Sequence, residues 1–239
     1  MPVVGHFGTS PCAPSSLAGV TVPLSHPVKD YLPAEAAAML AAHHPEIARG
    51  CERHGPPFTG QRPPASQRFP LLVRSIVGQQ ISVAAADAIL GRVVAVLPGP
   101  VSPRAILAVA PDDLRSAGLS GGKVRALRAL SSSCHEGRLD LTTLDLKGED
   151  AVREELCSVT GIGPWTADMF LMFGLRLPDI WPVGDVALRR GYAILRGLPE
   201  IPGAAEIASL GDAYRPYRSV VAWYSWAEID ADPQGSVWN

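Results

Sequence analysis

From Phe69 onward the chain repeats its apolar residues with a helical period and interrupts them with proline and glycine, which leaves few folds open. Val83, Ala86, Leu90, Val93 and Leu97 fall at i, i+3, i+7, i+10 and i+14, one stripe of a helix that Pro98-Gly99-Pro100 stops. Shorter helices are predicted over 103–109, 111–117 and 120–135, punctuated by Pro103, Pro111 and Gly118. A further pair spans 149–158 and 164–174. Val152, Leu156 and Val159 line the first; Thr166, Met169, Phe170 and Phe173 line the second. Helices near 186–196, 203–210 and 214–229 complete the C-terminal part. On the N-terminal side, Pro33 opens an Ala-rich helix from Ala34 to Ala42 that ends before His44-Pro45, and a proline-rich connection fills 54–68. Strands and helices do not alternate and no fixed repeat occurs, so the predicted class is all-α.

At 239 residues the chain is one large domain or two interlocked lobes, long enough to bury a core without disulfides or a structural metal. Its hydrophobic share of 47% excludes a mainly disordered protein. Lys and Arg total 21 against 23 Asp and Glu, a formal net charge of −2. Attachment to nucleic acid or membrane by bulk positive charge is thereby excluded; a local binding face is not. Residues 1–28 contain no Asp, Glu, Lys or Arg, and Pro23 interrupts the alternation of Val20, Val22 and Leu24, so a flexible arm is expected there. Cys12, Cys51, Cys134 and Cys157 are scattered without a CxxC, which argues against zinc and iron–sulfur sites and for free thiols in a reducing compartment. No apolar run approaches the ~20 residues of a membrane helix. The N-terminus lacks the basic and apolar regions of a secretory signal, and a cytoplasmic protein is expected.

The most informative stretch is Leu156-Cys-Ser-Val-Thr-Gly-Ile-Gly-Pro-Trp-Thr-Ala167. Gly161-Ile162-Gly163 joins two helices by a tight turn, and Pro164 suits the first position of the second helix. Backbone N–H groups at a helix N-terminus attract anions, so such a turn grips phosphate without Lys or Arg. The competing reading is a plain hairpin whose glycines only make the turn. Ile162 at the tip favours the first, because an apolar tip is costly in water unless it packs or meets a partner.

These residues resemble the helix–hairpin–helix motif, and their surroundings resemble the rest of the HhH-GPD DNA glycosylase signature. The hairpin is followed by Pro182-Val-Gly-Asp185-Val-Ala-Leu-Arg-Arg190. Upstream, Leu72-Val-Arg-Ser-Ile-Val-Gly-Gln-Gln-Ile-Ser82 and Leu114-Arg-Ser-Ala-Gly-Leu-Ser120 with Lys123 are similar to the alkylpurine branch, DNA-3-methyladenine glycosylase II. The resemblance covers residues 30–229 and implies base excision repair. In that reaction a damaged nucleotide is flipped from duplex DNA and an alkylated purine of the 3-methyladenine or 7-methylguanine type is hydrolysed off. It also implies two helical lobes around a cleft, one over 69–177 and the other joining 29–68 to 178–239. Some relatives carry an additional β-rich N-terminal domain; the helical and proline-rich residues before Phe69 are expected to lack it.

Carried over residue by residue, the resemblance makes Asp185 the catalytic carboxylate. By its own position after Gly184 and before a helical stretch, Asp185 is an N-cap, and the two roles are compatible because a helix N-terminus favours the ionised form. Trp165 occupies the position where bifunctional members have the lysine that attacks C1′ and leads to strand nicking. Tryptophan cannot form a Schiff base, which implies a monofunctional glycosylase without lyase activity. Trp165 and Trp226 are then walls of a pocket whose π faces attract a cationic methylated purine, with Trp181 and Met169 as further pocket residues. Gly161, Ile162, Gly163 and Thr166 are expected to contact DNA, with Ser120 and Lys123 as phosphate contacts, although a solvated helix face explains Lys123 equally well. Gln80 stands where the family places the wedge that fills the vacated base position. Gln79 reads as an amide that satisfies backbone groups. The resemblance also implies a Na+ or K+ ion held by the carbonyls of Cys157, Val159 and Ile162, although no side chain demands it. No other cofactor and no protein partner is expected, and a monomer is the default. Three other readings remain: a glycosylase of this fold for a mismatched, deaminated or oxidised base, a non-catalytic lesion-binding module, and a helical protein with no nucleic-acid role. Asp185 disfavours the second, since an anion facing DNA gains a pure binding protein little.

Overall fold

The structure is a computed structural model that describes residues 32–231; the predicted arm over 1–28 lies outside them. Every regular element among the described residues is helical, in agreement with the predicted class. In chain order the helices are α1 (Pro33–Ala41), α2 (Pro45–His54), α3 (Arg68–Gly78), α4 (Val83–Val96), α5 (Pro103–Ala108), α6 (Pro111–Ser116) and α7 (Gly121–His135). They continue with α8 (Glu149–Cys157), α9 (Pro164–Met169), α10 (Val186–Arg196), α11 (Ala204–Gly211) and α12 (Arg218–Ala231). None is long and apolar enough to cross a membrane.

Local chemistry accounts for most boundaries. Proline occupies the first turn of α1, α2, α5, α6 and α9, where its missing N–H costs no helical bond. Ser82, Ser102 and Ser120 accept backbone N–H groups as N-caps of α4, α5 and α7. No helix is predicted over α2, because Pro45 reads as the end of the preceding helix. It opens a new one, with Glu46 in the first turn and Arg53 and His54 in the last, the charge order the helix dipole favours. The stripe predicted on α4 is narrower than expected: Ala86 and Val93 are buried, but Val83 is 66% exposed. The second hairpin helix also differs. It is α-helical only to Met169 and widens into a π turn over Phe170–Gly174.

The helices pack in two sets. In the first, α3 lies against α4, α7, α9 and the π turn, while α5 and α6 cover α7 and α8 covers α9. In the second, α10 and α12 form an extended pair, α2 packs on both, and α1 rests on α2 and α12. At Gly191 the α10 backbone approaches so closely that a Cβ there would overlap the Ser225 carbonyl of α12. A buried carboxylate adds a polar tie. Glu46 of α2 accepts hydrogen bonds from Tyr214 Oη at 2.7 Å and from Arg196 of α10 at 3.0 Å. The chain passes from the first set to the second between Gly174 and Val186, and Asp185 ends this crossing.

Trp181, expected in the base pocket, belongs instead to the core of the second set. It is 8% exposed, its indole N–H donates to the Ile207 carbonyl at 2.8 Å, and its ring lies edge-on to Tyr192 at 5.8 Å and against Gly211. Trp181→Phe should therefore lower stability by about 1–3 kcal/mol, the cost of a buried unpaired acceptor, while base release per folded molecule stays unchanged. Urea unfolding and an active-site-titrated assay would check the two halves of this prediction.

Candidate active site and nucleic-acid interface

Asp185 caps α10 and reaches across the seam between the two sets. Its Oδ1 accepts the Leu188 backbone N–H at 2.8 Å, and its Oδ2 accepts the indole N–H of Trp165, on α9, at 2.5 Å. Each carboxylate oxygen thus has one fixed donor and keeps a further lone pair. The plane of the group is set by two elements, α9 and α10, that belong to different sets. The carboxylate is partly exposed, and Val186 beside it is 62% exposed, so the anion stands at the molecular surface beside the seam. An anion held in one orientation at a helix N-terminus is suited to stabilise positive charge developing opposite it.

Trp165 and Trp226 are both half-buried at this seam. Trp226, on α12, faces Phe173 of the π turn at 6.0 Å with 32° between the rings. Phe173 in turn lies 5.6 Å from Phe58, whose ring carries the Arg176 guanidinium at 5.1 Å. The row Trp226–Phe173–Phe58 was not legible in sequence. Phe58 sits in the proline-rich connection at φ +50, and no local pattern shows that it folds back onto the π turn. Met169, the last residue of α9, is 8% exposed and packed in the core.

In the hairpin, Gly161 adopts φ +87, and a Cβ added there would overlap the Ala126 side chain of α7. Both features demand glycine. Gly161→Ala should cost about 2–4 kcal/mol, combining left-handed strain with overpacking, and would be read from the shift in the urea midpoint. Gly163 is extended at the N-cap of α9 with no atom near its absent side chain, which leaves that side of the turn open to another backbone. Ile162 is 4% exposed and packs inward, so the apolar tip needs no partner. Its N–H is used within the turn, donated to the Val159 carbonyl at 3.0 Å.

Of the residues expected to touch DNA, Thr166 and Lys123 bond inward, whereas Ser120 is exposed at the start of α7. Thr166 is 1% exposed and its hydroxyl accepts the Gln79 amide at 2.9 Å. Ser120 caps α7 by accepting the Lys123 N–H at 3.3 Å. Lys123 Nζ donates to the Val77 carbonyl in the last turn of α3 at 2.8 Å, and burial of the ammonium pushes its pKa down from the ordinary lysine value. Sequence patterns place these residues near the hairpin but give no sign of where their side chains point. Gln80 is exposed at φ +58 in the connection from α3 to α4, followed by Ile81, which is 37% exposed. Gln79 donates both to Thr166 and, at 3.2 Å, to the Gly161 carbonyl, which is the backbone-satisfying role read from sequence.

Comparison with known proteins gives this geometry its context. DNA-3-methyladenine glycosylase 1 of Schizosaccharomyces pombe is 30% identical over 159 residues, covering 65% of this chain and 69% of the relative. DNA-3-methyladenine glycosylase 2 of Escherichia coli is 29% identical over 196 residues, 77% of this chain and 66% of the relative. Among solved structures, the S. pombe 3-methyladenine DNA glycosylase in complex with abasic DNA superposes with a TM-score of 0.74 at 26% identity, covering 82% of this chain and 97% of that one. A DNA-3-methyladenine glycosidase of Bacillus halodurans gives a TM-score of 0.68 at 34% identity, covering 86% and 93%. The profile of the HhH-GPD superfamily base excision DNA repair proteins matches residues 73–215, which include the hairpin, Trp165 and Asp185. The chain belongs to the HhH-GPD superfamily of base excision DNA repair proteins.

Proposed function

We propose that this protein is a monofunctional glycosylase that flips an alkylated purine out of duplex DNA and hydrolyses its N-glycosidic bond. The observation that carries this reading is the carboxylate of Asp185, held across the seam by the α10 N-terminus and the Trp165 indole. Departure of the base builds positive charge on the sugar, and a fixed anion stabilises that charge without having to reorganise. A free lone pair on the same carboxylate is available to orient or deprotonate the attacking water. N3 or N7 methylation makes the purine cationic, hence a good leaving group, and attracts it to the faces of Trp165 and Trp226. Trp165 stands in the lysine position of the nicking enzymes and supplies no amine, which supports an intact abasic strand as product.

The open side of Gly163 and the N-terminal N–H groups of α9 suit a DNA phosphate. Carbonyls are neutral oxygen donors that fit a hard monovalent cation, so those of Cys157, Val159 and Ile162 would hold Na+ or K+, whose charge would add to the attraction for phosphate. Gln80 is the proposed wedge, presented by an exposed left-handed backbone. The similarity to DNA-3-methyladenine glycosylases supports the alkylated-purine substrate class.

Single-turnover incubation with duplex DNA carrying methylated purines tests the reading, with freed bases identified by mass spectrometry and strands sized by electrophoresis. Release of 3-methyladenine or 7-methylguanine with intact strands is expected. Release of a deaminated base alone would reassign the substrate, and binding without release would make the protein a lesion-binding module.

A further inference from the structure

The connection between α3 and α4 is a type II β-turn. The Ile81 N–H returns to the Gly78 carbonyl at 3.4 Å, Gln79 has φ −53 and ψ 126, and Gln80 has φ +58. The third position of such a turn favours glycine or asparagine, because a side chain at positive φ crowds its own backbone. Gln80 is neither, and the backbone strain persists only if the surroundings hold the turn in place. The turn's own hydrogen bond is long. What holds it firmly is the neighbouring side chain: Gln79 Nε2 donates to the Gly161 carbonyl at 3.2 Å and to Thr166 Oγ1 at 2.9 Å. A carbonyl can only accept, so the amide must present its NH2 to the hairpin.

The frame around this contact is closed on two other sides. Lys123 of α7 donates to Val77, two residues before Gln79, and Ala126 of α7 packs against Gly161. The α3 terminus, the α7 start and the hairpin therefore form one unit, with Gln79 as its link to the turn that carries Gln80. We propose that Gln79 is a positioning residue that holds the Gln80 turn in register with the hairpin. Gripping the DNA backbone and filling the vacated base position then become one event. This inference rests on the glycosylase reading above and assigns Gln79 no contact with the reacting atoms.

The test uses Gln79→Ala, which removes both bonds, and Thr166→Val, which removes one with little change of shape. Single-turnover release is measured on two duplexes, with the methylated purine opposite its complement or opposite a mismatched base. Extrusion costs least for a weakly paired nucleotide, so a wedge defect shows most on the paired duplex. On that duplex Gln79→Ala should slow release about 10- to 100-fold, with Thr166→Val intermediate, given two lost hydrogen bonds. On the mispaired duplex both variants should stay within about 3-fold of wild type, because the flipping step is already relieved there. Affinity for undamaged duplex should be unchanged. A 2-aminopurine placed beside the lesion reports flipping independently of chemistry, and its fluorescence rise should be lost with Gln79→Ala on the paired duplex. Equal slowing on the two duplexes by Thr166→Val, or an undiminished fluorescence rise with Gln79→Ala, would overturn the assignment of Gln79. A wild-type protein that raises the fluorescence without releasing base would overturn hydrolysis instead, with Gln79 still judged by fluorescence.

Discussion

Replacing Asp185 by asparagine should reduce single-turnover base release by about 10³-fold, within the range expected when a preorganised charge or a general base is removed. The substitution discriminates sharply because asparagine is as good an N-cap as aspartate. The Leu188 N–H keeps an acceptor, and α10 should begin where it does now. Stability should change by no more than about 1 kcal/mol, since one of the two donors now facing Asp185 would lose its ideal partner. If Asp185 only caps the helix, Asp185→Asn should release base at the wild-type rate. Paired with urea unfolding, the measurement separates the two roles of a residue that has both.

Trp165→Phe should lower the rate at saturating DNA by about 10- to 100-fold, the usual worth of a hydrogen bond to a charged group, with a much smaller change in KM. Phenylalanine preserves an aromatic face for the base but offers no N–H to Asp185 Oδ2. Trp165→Ala removes the face as well and should raise KM in addition. The split matters because the pocket-wall role and the anchoring role make opposite predictions for phenylalanine. A wall alone predicts near-normal kcat; an anchor predicts its loss. The Trp165 indole N–H resonance offers a readout without substrate. It should lie far downfield in the wild type and move upfield in Asp185→Asn, where the acceptor no longer carries a charge.

Several residues had identifiable chemistry in the sequence whose direction could not be read. Thr166 and Lys123 have the right type and neighbourhood for phosphate contacts, yet both bond inward, to Gln79 and to the α3 terminus. Trp181 is aromatic and close in sequence to Asp185, but its indole finds the Ile207 carbonyl. An aromatic or hydroxyl side chain on a helix is committed to core or cleft by about a hundred degrees of helix rotation, and its own sequence neighbourhood specifies that angle only loosely. Ile162 shows the same limit at a turn, where an apolar residue expected at an exposed tip is buried.

The sequence by itself determined the helical class, the proline-opened helix starts, the Asp185 cap and the hairpin. These depend on contacts within one or two turns, where proline geometry, an aspartate cap and glycine at positive φ act locally. It also determined the absence of a lysine before Thr166-Ala167, since chemical identity needs no coordinates. Only the tertiary structure decided that Asp185 and Trp165 share a hydrogen bond, that Gln79 links the Gln80 turn to the hairpin, and that Phe58 joins the aromatic row beside Trp226. Those partners are not sequence neighbours, and their meeting is set by how the helices close on one another, within the first set for Gln79 and the hairpin and between the two sets for Asp185 and Trp165. That closure minimises exposed apolar surface over the whole molecule, a sum over many side chains that no local stretch encodes.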